Sequence, residues 1–252
     1  MNPLFKTAYS KHAFTNWTID HFPEGYQEMD YVEPYVAAGS VMFNKEPSQF
    51  EVINDLEAEV VQIYHALRDE PTMFIGRLKR VKYCESTFLK AAKKVQDTEK
   101  WDDYMDQAVA EFKLRKMSRG GDKKNFTPRN GHPEYLERAA AVWKQDIAGL
   151  SEVAARLQSC HIMQKPTVDL LKAFNSKGTF VFASPPPLPK NDMVDESEFV
   201  EHTKTADLLR QYDGKVIVSH TSSPLYRRLY RDWRYARKKS SNQKIEMLWM
   251  NY

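Results

Sequence analysis

GTFVFASPPPLPK, Gly178 to Lys190, is a run of β-branched and aromatic residues that meets three consecutive prolines. Such a run reads as a buried strand, and proline cannot donate to a sheet ladder, so the strand must stop at about Ser184. The same pattern recurs on either side of it. DYVEPYV (Asp30 to Val36) reads as a buried strand ended by AAGS (Ala37 to Ser40). Glu51 to Ile53 form a short β-branched run. Asn54 and Asp55 follow at a helix start, with Leu56, Val60, Ile63 and Leu67 at helical spacing. SCHIM precedes a helix from Thr167, a second helix starts at about Glu198, and KVIVS (Lys215 to Ser219) precedes a third near Pro224. IEMLWMNY closes the chain as a final strand. Strands alternating with helices predict an α/β fold with a mostly parallel sheet and helices on both faces.

From Pro71 to about Gln158 the pattern is helical, interrupted by MSRGGDKKNFTPRNGHP (Met117 to Pro133). Residues 1–70 and 157–252 are therefore expected to form the α/β core, and residues 71–156 an inserted helical subdomain. Hydrophobic residues make up 42% of the 252 and charged residues 28%, as in ordinary globular proteins. The net charge of +3 is too small to announce a nucleic-acid partner, so the placement of charge matters more than its sum. Cys84 and Cys160 are far apart and lack ligand spacing, which predicts neither a disulfide framework nor a metal site and fits a reducing cytoplasm. No window approaches the roughly 18 apolar residues of a membrane span.

Taken in order, several stretches resemble the Dam-type DNA adenine methyltransferases. These are YVEPYVAAGSVMF (Tyr31 to Phe43), INDLEAEVVQIYHALRD (Ile53 to Asp69), the strand carrying SPPP, and EFVEHTKTADLLRQYDGKVIVSHTSSPLYRRLYRDW (Glu198 to Trp233), with a final strand ending in Asn-Tyr. The resemblance spans nearly the whole chain. It implies a Rossmann-like methyltransferase fold with a helical target-recognition insert, duplex DNA as partner, and S-adenosylmethionine as cofactor. In that family an Asp-Pro-Pro-Tyr loop grips the exocyclic amine of a base flipped out of the duplex, and its ring stacks on the base. Here the loop is Ser184, Pro185, Pro186 and Pro187. The prolines stay, the acceptor becomes a neutral hydroxyl, and stacking of order ~1–3 kcal/mol is lost.

The cofactor side departs as well. The family's Gly-rich turn reads Tyr35-Val36-Ala37-Ala38-Gly39, and an upstream Gly-containing element reads Ala8-Tyr9-Ser10-Lys11. Pro166 stands where an acid is expected, while Asp55 is retained at the position that holds the cofactor's ribose. The resemblance thus assigns Lys11, Tyr35, Ala37, Gly39 and Asp55 to the cofactor and Ser184, Pro185 and Pro186 to the base pocket. Ser219 and His220 add polar groups on the carboxyl edge of the sheet. Without the resemblance, Asp55 reads as a helix N-cap, Lys11 as a solvated charge and His220 as a surface histidine. The departures point away from ordinary adenine methylation. They favour a transferase that moves another group from a small-molecule donor onto a flipped base, such as a modified pyrimidine in bacteriophage DNA. The alternatives are a DNA-binding protein without catalysis and an adenine methyltransferase with a deviant motif.

Two basic segments carry the DNA expectation. Arg115, Lys116, Arg119, Lys123, Lys124 and Arg129, with Asn125, Phe126 and Asn130, read as a flexible basic loop suited to a groove and its phosphates. Arg227, Arg228 and Arg231 begin a second cluster that runs to Lys239. Read as a helix, it places 227, 231 and 234 on one side and turns its rings inward.

Overall fold

The computed structural model describes residues 1–7, 11–96, 103–128, 132–188, 196–240, 243 and 245–252, and of 196–198 the backbone alone. Arg129 and Asn130 of the expected DNA loop lie outside these residues, as do Ala8, Tyr9 and Ser10. The chain forms two compact units, Lys11–Val36 with Asn44–Leu56 and Cys160–Tyr252, and Met1–Ser10 with Ala37–Phe43 and Glu57–Ser159. No helix among the described residues is long and apolar enough to cross a membrane.

The first unit is built on a seven-stranded sheet. Its strands are β1 (Asp30–Glu33), β2 (Phe50–Asn54), β3 (Cys160–Met163), β4 (Thr179–Ala183), β5 (Lys215–Thr221), β6 (Arg234–Lys239) and β7 (Ile245–Met250). They lie in the order β3-β2-β1-β4-β5-β7-β6. The first five are parallel, and β7 and β6 run antiparallel to their neighbours. Every residue of β4 is buried, which is why Phe180 to Ala183 form a continuous apolar run and not an alternating one. On one face Val32, Val52, Val181, Val216 and Val218 pack against Leu170 and Leu171 of α7 (Thr167–Ala173), Leu209 of α8 (Glu196–Arg210) and Leu225 of α9 (Pro224–Leu229). On the other, beyond α1 (Thr15–Ile19), the ring of Phe22 meets Phe180 edge-on at 4.6 Å and lies near Tyr31. The expected strand over residues 30–36 stops at Glu33, because Pro34 cannot extend the ladder and the Val36 amide turns to the Asn54 carbonyl.

The C-terminal basic cluster is not one helix. α9 ends at Leu229, and residues 234–239 form β6, the terminal strand of the sheet. Arg227, Arg231 and Arg234 therefore do not share a helical face. Because β6 is exposed on both sides, it lacks the two-residue apolar alternation that would reveal a strand. Tyr226 and Tyr230 do turn into the core, whereas Tyr235 is 62% exposed.

The second unit is helical: α2 (Ala58–Asp69), α3 (Pro71–Lys79), α4 (Glu85–Gln96), α5 (Tyr104–Met117) and α6 (Pro133–Leu157). It takes in α2, which packs against α5 and α6. Phe74 meets Phe112 edge-on at 5.6 Å, and Phe112 meets Trp143 at 6.0 Å. Pro71 and Pro133 open their helices, where a missing N–H costs nothing.

Inside the sheet unit, β1 carries a buried acid. The Tyr31 hydroxyl donates to Glu33 Oε2 at 2.7 Å, and Lys45, ion-paired with Glu51, lies 4.1 Å over the Tyr31 ring. Burial raises Glu33 from 4.5 to about 8, against the opposing pull of the Tyr31 hydrogen bond and Lys45. At neutral pH the folded chain thus keeps a proton that the unfolded chain has released. This contribution to stability is whole below about pH 4.5 and is lost as pH rises toward 8, at up to about 1.4 kcal/mol per unit. Glu33→Gln is expected to flatten that slope. Urea unfolding at a series of pH values measures it, and a wild-type-minus-variant difference constant from pH 5 to 8 would contradict it.

Candidate active site

The order of the sheet reverses between β1 and β4. β2 and β3 lie to one side of β1, β4 and β5 to the other, so the chain leaves β1 and β4 toward opposite sides of the sheet. Open α/β sheets bind ligands at such a switch. In the sheet unit this edge holds Tyr35 after β1, Asn54 at the end of β2 and Asp55 after it, and Ser184 to Leu188 after β4. Ser219 and His220 stand near the end of β5.

Asn54 ties three strand ends together. Its Nδ2 donates to the Pro34 and Lys165 carbonyls, both at 3.1 Å, and its Oδ1 accepts from the Lys165 amide at 2.8 Å. With both amide hydrogens and the oxygen engaged, it is a clamp for the edge, a role that its place beside a helix start does not betray. Asp55 is half-buried, and its amide points to the Met163 carbonyl at 3.4 Å. It is not the expected N-cap, since Glu57 occupies the cap position of α2. Asp55 stands two residues before that cap, just past the end of β2. Pro166 caps α7.

At the end of β4, Pro185 is buried and Leu188 packs against the core, which anchors both ends of the proline run. Ring closure fixes the proline backbone between them. Ser184 is half-buried on this rigid loop, and its hydroxyl makes no hydrogen bond among the described residues. Tyr35 packs against the same core; burial raises its phenol, with the Thr167 and Thr205 hydroxyls opposing that rise.

The structure brings Lys11 and Ser219 together. Lys11 Nζ donates to the Ser219 carbonyl at 2.8 Å and lies 2.8 Å from Glu246 Oε1; the Ser219 hydroxyl donates to the same oxygen at 2.8 Å. Burial lowers the Lys11 ammonium and Glu246 opposes the shift. Lys11 is thus not a solvated charge; it closes a network with Glu246, a residue that the sequence did not single out. Glu246 left one signal, an acid inside the apolar run IEMLWM, where a charge is tolerated only if paired.

His220 is 3% exposed, contrary to the surface reading. Its Nδ1 lies 2.8 Å from the Thr221 carbonyl, which can only accept, so Nδ1 carries the proton and Nε2 keeps a lone pair with no partner among the described residues. Burial pushes the ring down to about 4, so it is neutral near pH 7. The ring stacks on Tyr226 at 3.7 Å and 5°, and the Tyr226 hydroxyl bonds His202 Nδ1 at 2.6 Å.

Ala37 and Gly39 belong to the helical unit. Ala37 has φ 44°, a left-handed conformation that costs a residue with a Cβ about 1–2 kcal/mol, and its carbonyl accepts from the Tyr64 hydroxyl at 3.0 Å. Gly39 has φ 70°, and a Cβ there would meet the Phe43 ring at 2.3 Å. The turn keeps a glycine-type backbone at 37 while adding a methyl group, and the space beside Gly39 is filled by the protein's own rings.

The first basic segment is mostly consumed internally. Arg115 is 5% exposed and pairs with Glu57 and Glu111; Lys116 pairs with Asp146 at 2.7 Å; Lys123 pairs with Glu57 at 3.4 Å and Glu111 at 3.5 Å. The Asn125 amide is held by Asp122 at 2.8 Å. Arg119 and Lys124 are exposed, as are Arg227, Arg228 and Arg231. Arg115 is therefore buried among carboxylates that claim its charge, whereas Lys123, one-third exposed, is shared between Glu57 and Glu111.

The D12 class N6 adenine-specific DNA methyltransferase family matches residues 10–246. The type II methyltransferase M1.LlaDCHI of Lactococcus lactis subsp. cremoris is 26% identical over 264 residues, covering 92% of this chain and 89% of its own. Among solved structures, SMU.472, a methyltransferase complexed with SAH, aligns over 99% of this chain and 54% of its own at 10% identity, with a TM-score of 0.44. An N6-adenine-specific DNA methylase of Listeria monocytogenes aligns over 98% of this chain and 52% of its own at 11% identity, with a TM-score of 0.42. The chain spans about half the length of these two structures. A match that runs from just before Lys11 to Glu246, and so takes in the carboxyl ends of β1 to β5, makes this chain a member of the D12 class N6 adenine-specific DNA methyltransferase family.

Proposed function

We propose that the chain methylates an exocyclic amine of a base in duplex DNA, adenine N6 by its family, with Ser184 as the amine acceptor. The observation that carries this reading is the unused Ser184 hydroxyl on a proline-fixed loop at the switch of strand order. A serine oxygen accepts one hydrogen bond from an amine N–H and so fixes the orientation of the nitrogen. Pro185 and Pro186 hold that oxygen in place, which spares the loop an ordering cost when the base arrives. The contact is neutral, worth about 1 kcal/mol where a charged acceptor gives about 1.5–3, so the reaction runs more slowly than with a carboxylate.

The family implies S-adenosylmethionine, which supplies an electrophilic methyl group when bound. Asp55 fits its ribose: it lies at the carboxyl end of β2, about 20 residues beyond the first strand's turn, where open α/β sheets place a ribose-binding acid. Tyr35 stands at the neighbouring strand end. Lys11 is taken up by Ser219 and Glu246 and has no part in this reading. Transfer of another group to a modified pyrimidine, expected from the departures in sequence, draws no support from the family or the relative.

A second reading, DNA binding without transfer, is favoured by the proline at 187 in place of a stacking ring. Calorimetric titration with S-adenosylmethionine, followed by labelled methyl transfer to duplex DNA, separates the two. Stoichiometric binding and label recovered in N6-methyladenine are expected. DNA binding with no cofactor heat at millimolar ligand and no incorporated label would establish the second reading instead.

A further inference from the structure

The chain's positive charge is concentrated in one short segment. Residues 227–239 hold seven of the 37 Lys and Arg and one of the 34 acidic residues, so this segment carries +6 while the remainder, with 30 basic and 33 acidic residues, carries −3. In the sheet unit the segment is the outer side of α9, a turn, and the terminal strand β6. All seven cations are exposed. Asp232, the one acid, is shared by Arg210 at 3.7 Å and Arg231 at 3.4 Å. Arg227, Arg228, Arg237 and Lys239 have no carboxylate partner among the described residues.

A basic side chain or two on an edge strand is a common guard against edge-to-edge pairing. Seven cations around one acid exceed that need, and they repel one another within a Debye length, which disfavours the cluster unless an anion answers it. Along β6, Arg237 and Lys239 point to one face about 7 Å apart, with Arg234 and Lys238 on the other. Arg234 lies 6.0 Å from the Tyr252 ring and Lys238 6.0 Å from the Trp17 ring. A linear row of cations with little apolar surface suits a phosphate backbone. A membrane surface would call for apolar anchors beside the charges; Tyr235 and Ile245, opposite Lys239 on β7, are exposed, but two side chains beside seven cations are fewer than such a surface needs.

We propose that β6 and the outer side of α9 form a phosphate-binding ribbon for duplex DNA, distinct from the base pocket and independent of sequence. This rests on the reading that duplex DNA is the substrate. β6 stands three strand positions from β4, about 14 Å across the sheet, so one duplex can engage both. The ribbon supplies general affinity while the Ser184 edge supplies chemistry.

The test is fluorescence anisotropy of a labelled duplex of arbitrary sequence over a salt series. The triple variant Arg237→Gln, Lys238→Gln, Lys239→Gln is expected to unfold at the wild-type temperature and to flatten the slope of log affinity against log salt by about 2.7, from about 0.9 per released phosphate contact. Arg237→Lys, which keeps the charge, should leave the slope unchanged. A triple variant with wild-type slope and affinity overturns the ribbon, as does charge-dependent binding of phosphatidylserine vesicles or polyglutamate with none of duplex. Methyl transfer with an unchanged slope removes the ribbon alone; a flattened slope without methyl transfer removes the methylation reading alone.

Discussion

Replacing Ser184 with Asp is expected to raise kcat/KM for methyl transfer to duplex DNA about tenfold, the equivalent of about 1.4 kcal/mol. The gain comes from exchanging a neutral acceptor for a charged one at a half-buried position, where the amine N–H is then held by a charge-assisted hydrogen bond. The loop geometry should not change, because Ala183 at the buried end of β4 and the buried Pro185 hold the chain on either side of the substituted residue. Ser184→Ala removes the acceptor and is expected to lower kcat/KM about fivefold, for the loss of about 1 kcal/mol. Labelled methyl incorporation at subsaturating DNA reads both variants. Equal rates for wild type, Asp and Ala would take Ser184 out of the site.

The largest stability effect is expected at Glu246. Glu246→Ala leaves the Lys11 ammonium beside the Ser219 carbonyl with no counter-charge, in a site where the glutamate side chain is 5% exposed. Removing one partner of such a pair typically costs about 3–5 kcal/mol, and the partial exposure of Lys11 places this one near 3. The double variant Lys11→Met with Glu246→Ala should recover much of that loss, because the penalty belongs to the stranded charge more than to the pair. Urea unfolding of both single variants and the double closes the cycle. A loss under about 1 kcal/mol for Glu246→Ala would mean that water replaces the carboxylate, and that the network does not hold the end of β5.

Much of the sheet is written locally. Phe180 to Ala183 are apolar because both faces of β4 are covered, and the prolines after Ser184 end the strand whatever surrounds it. The runs at 51–53, 160–163 and 215–219 and the helical spacing after Asp55 carry equally local signals, and their alternation admits little besides a parallel α/β sheet. The place of Ser184 follows as well, since a strand that stops in an open sheet delivers its next residue to the carboxyl edge.

Other features have no local signature. β6 escapes because an edge strand exposed on both faces has no reason to alternate, and RYARKK fits a helix as readily as a strand. The partners of the charged residues depend on distant segments: Lys11 meets Ser219 across 208 positions, and Arg115 meets Glu57 across 58. Charge alone ranks Arg115 and Lys123 with Arg227 as DNA ligands; packing assigns the first two to Glu57 and Glu111 and leaves the third in solvent. His220 is decided in the same way, since a neighbouring carbonyl fixes its proton and Tyr226 covers its ring. Backbone preference and burial periodicity act over a few residues and can be read along the chain, whereas Coulomb pairing and desolvation act through space and exist only once the chain has folded.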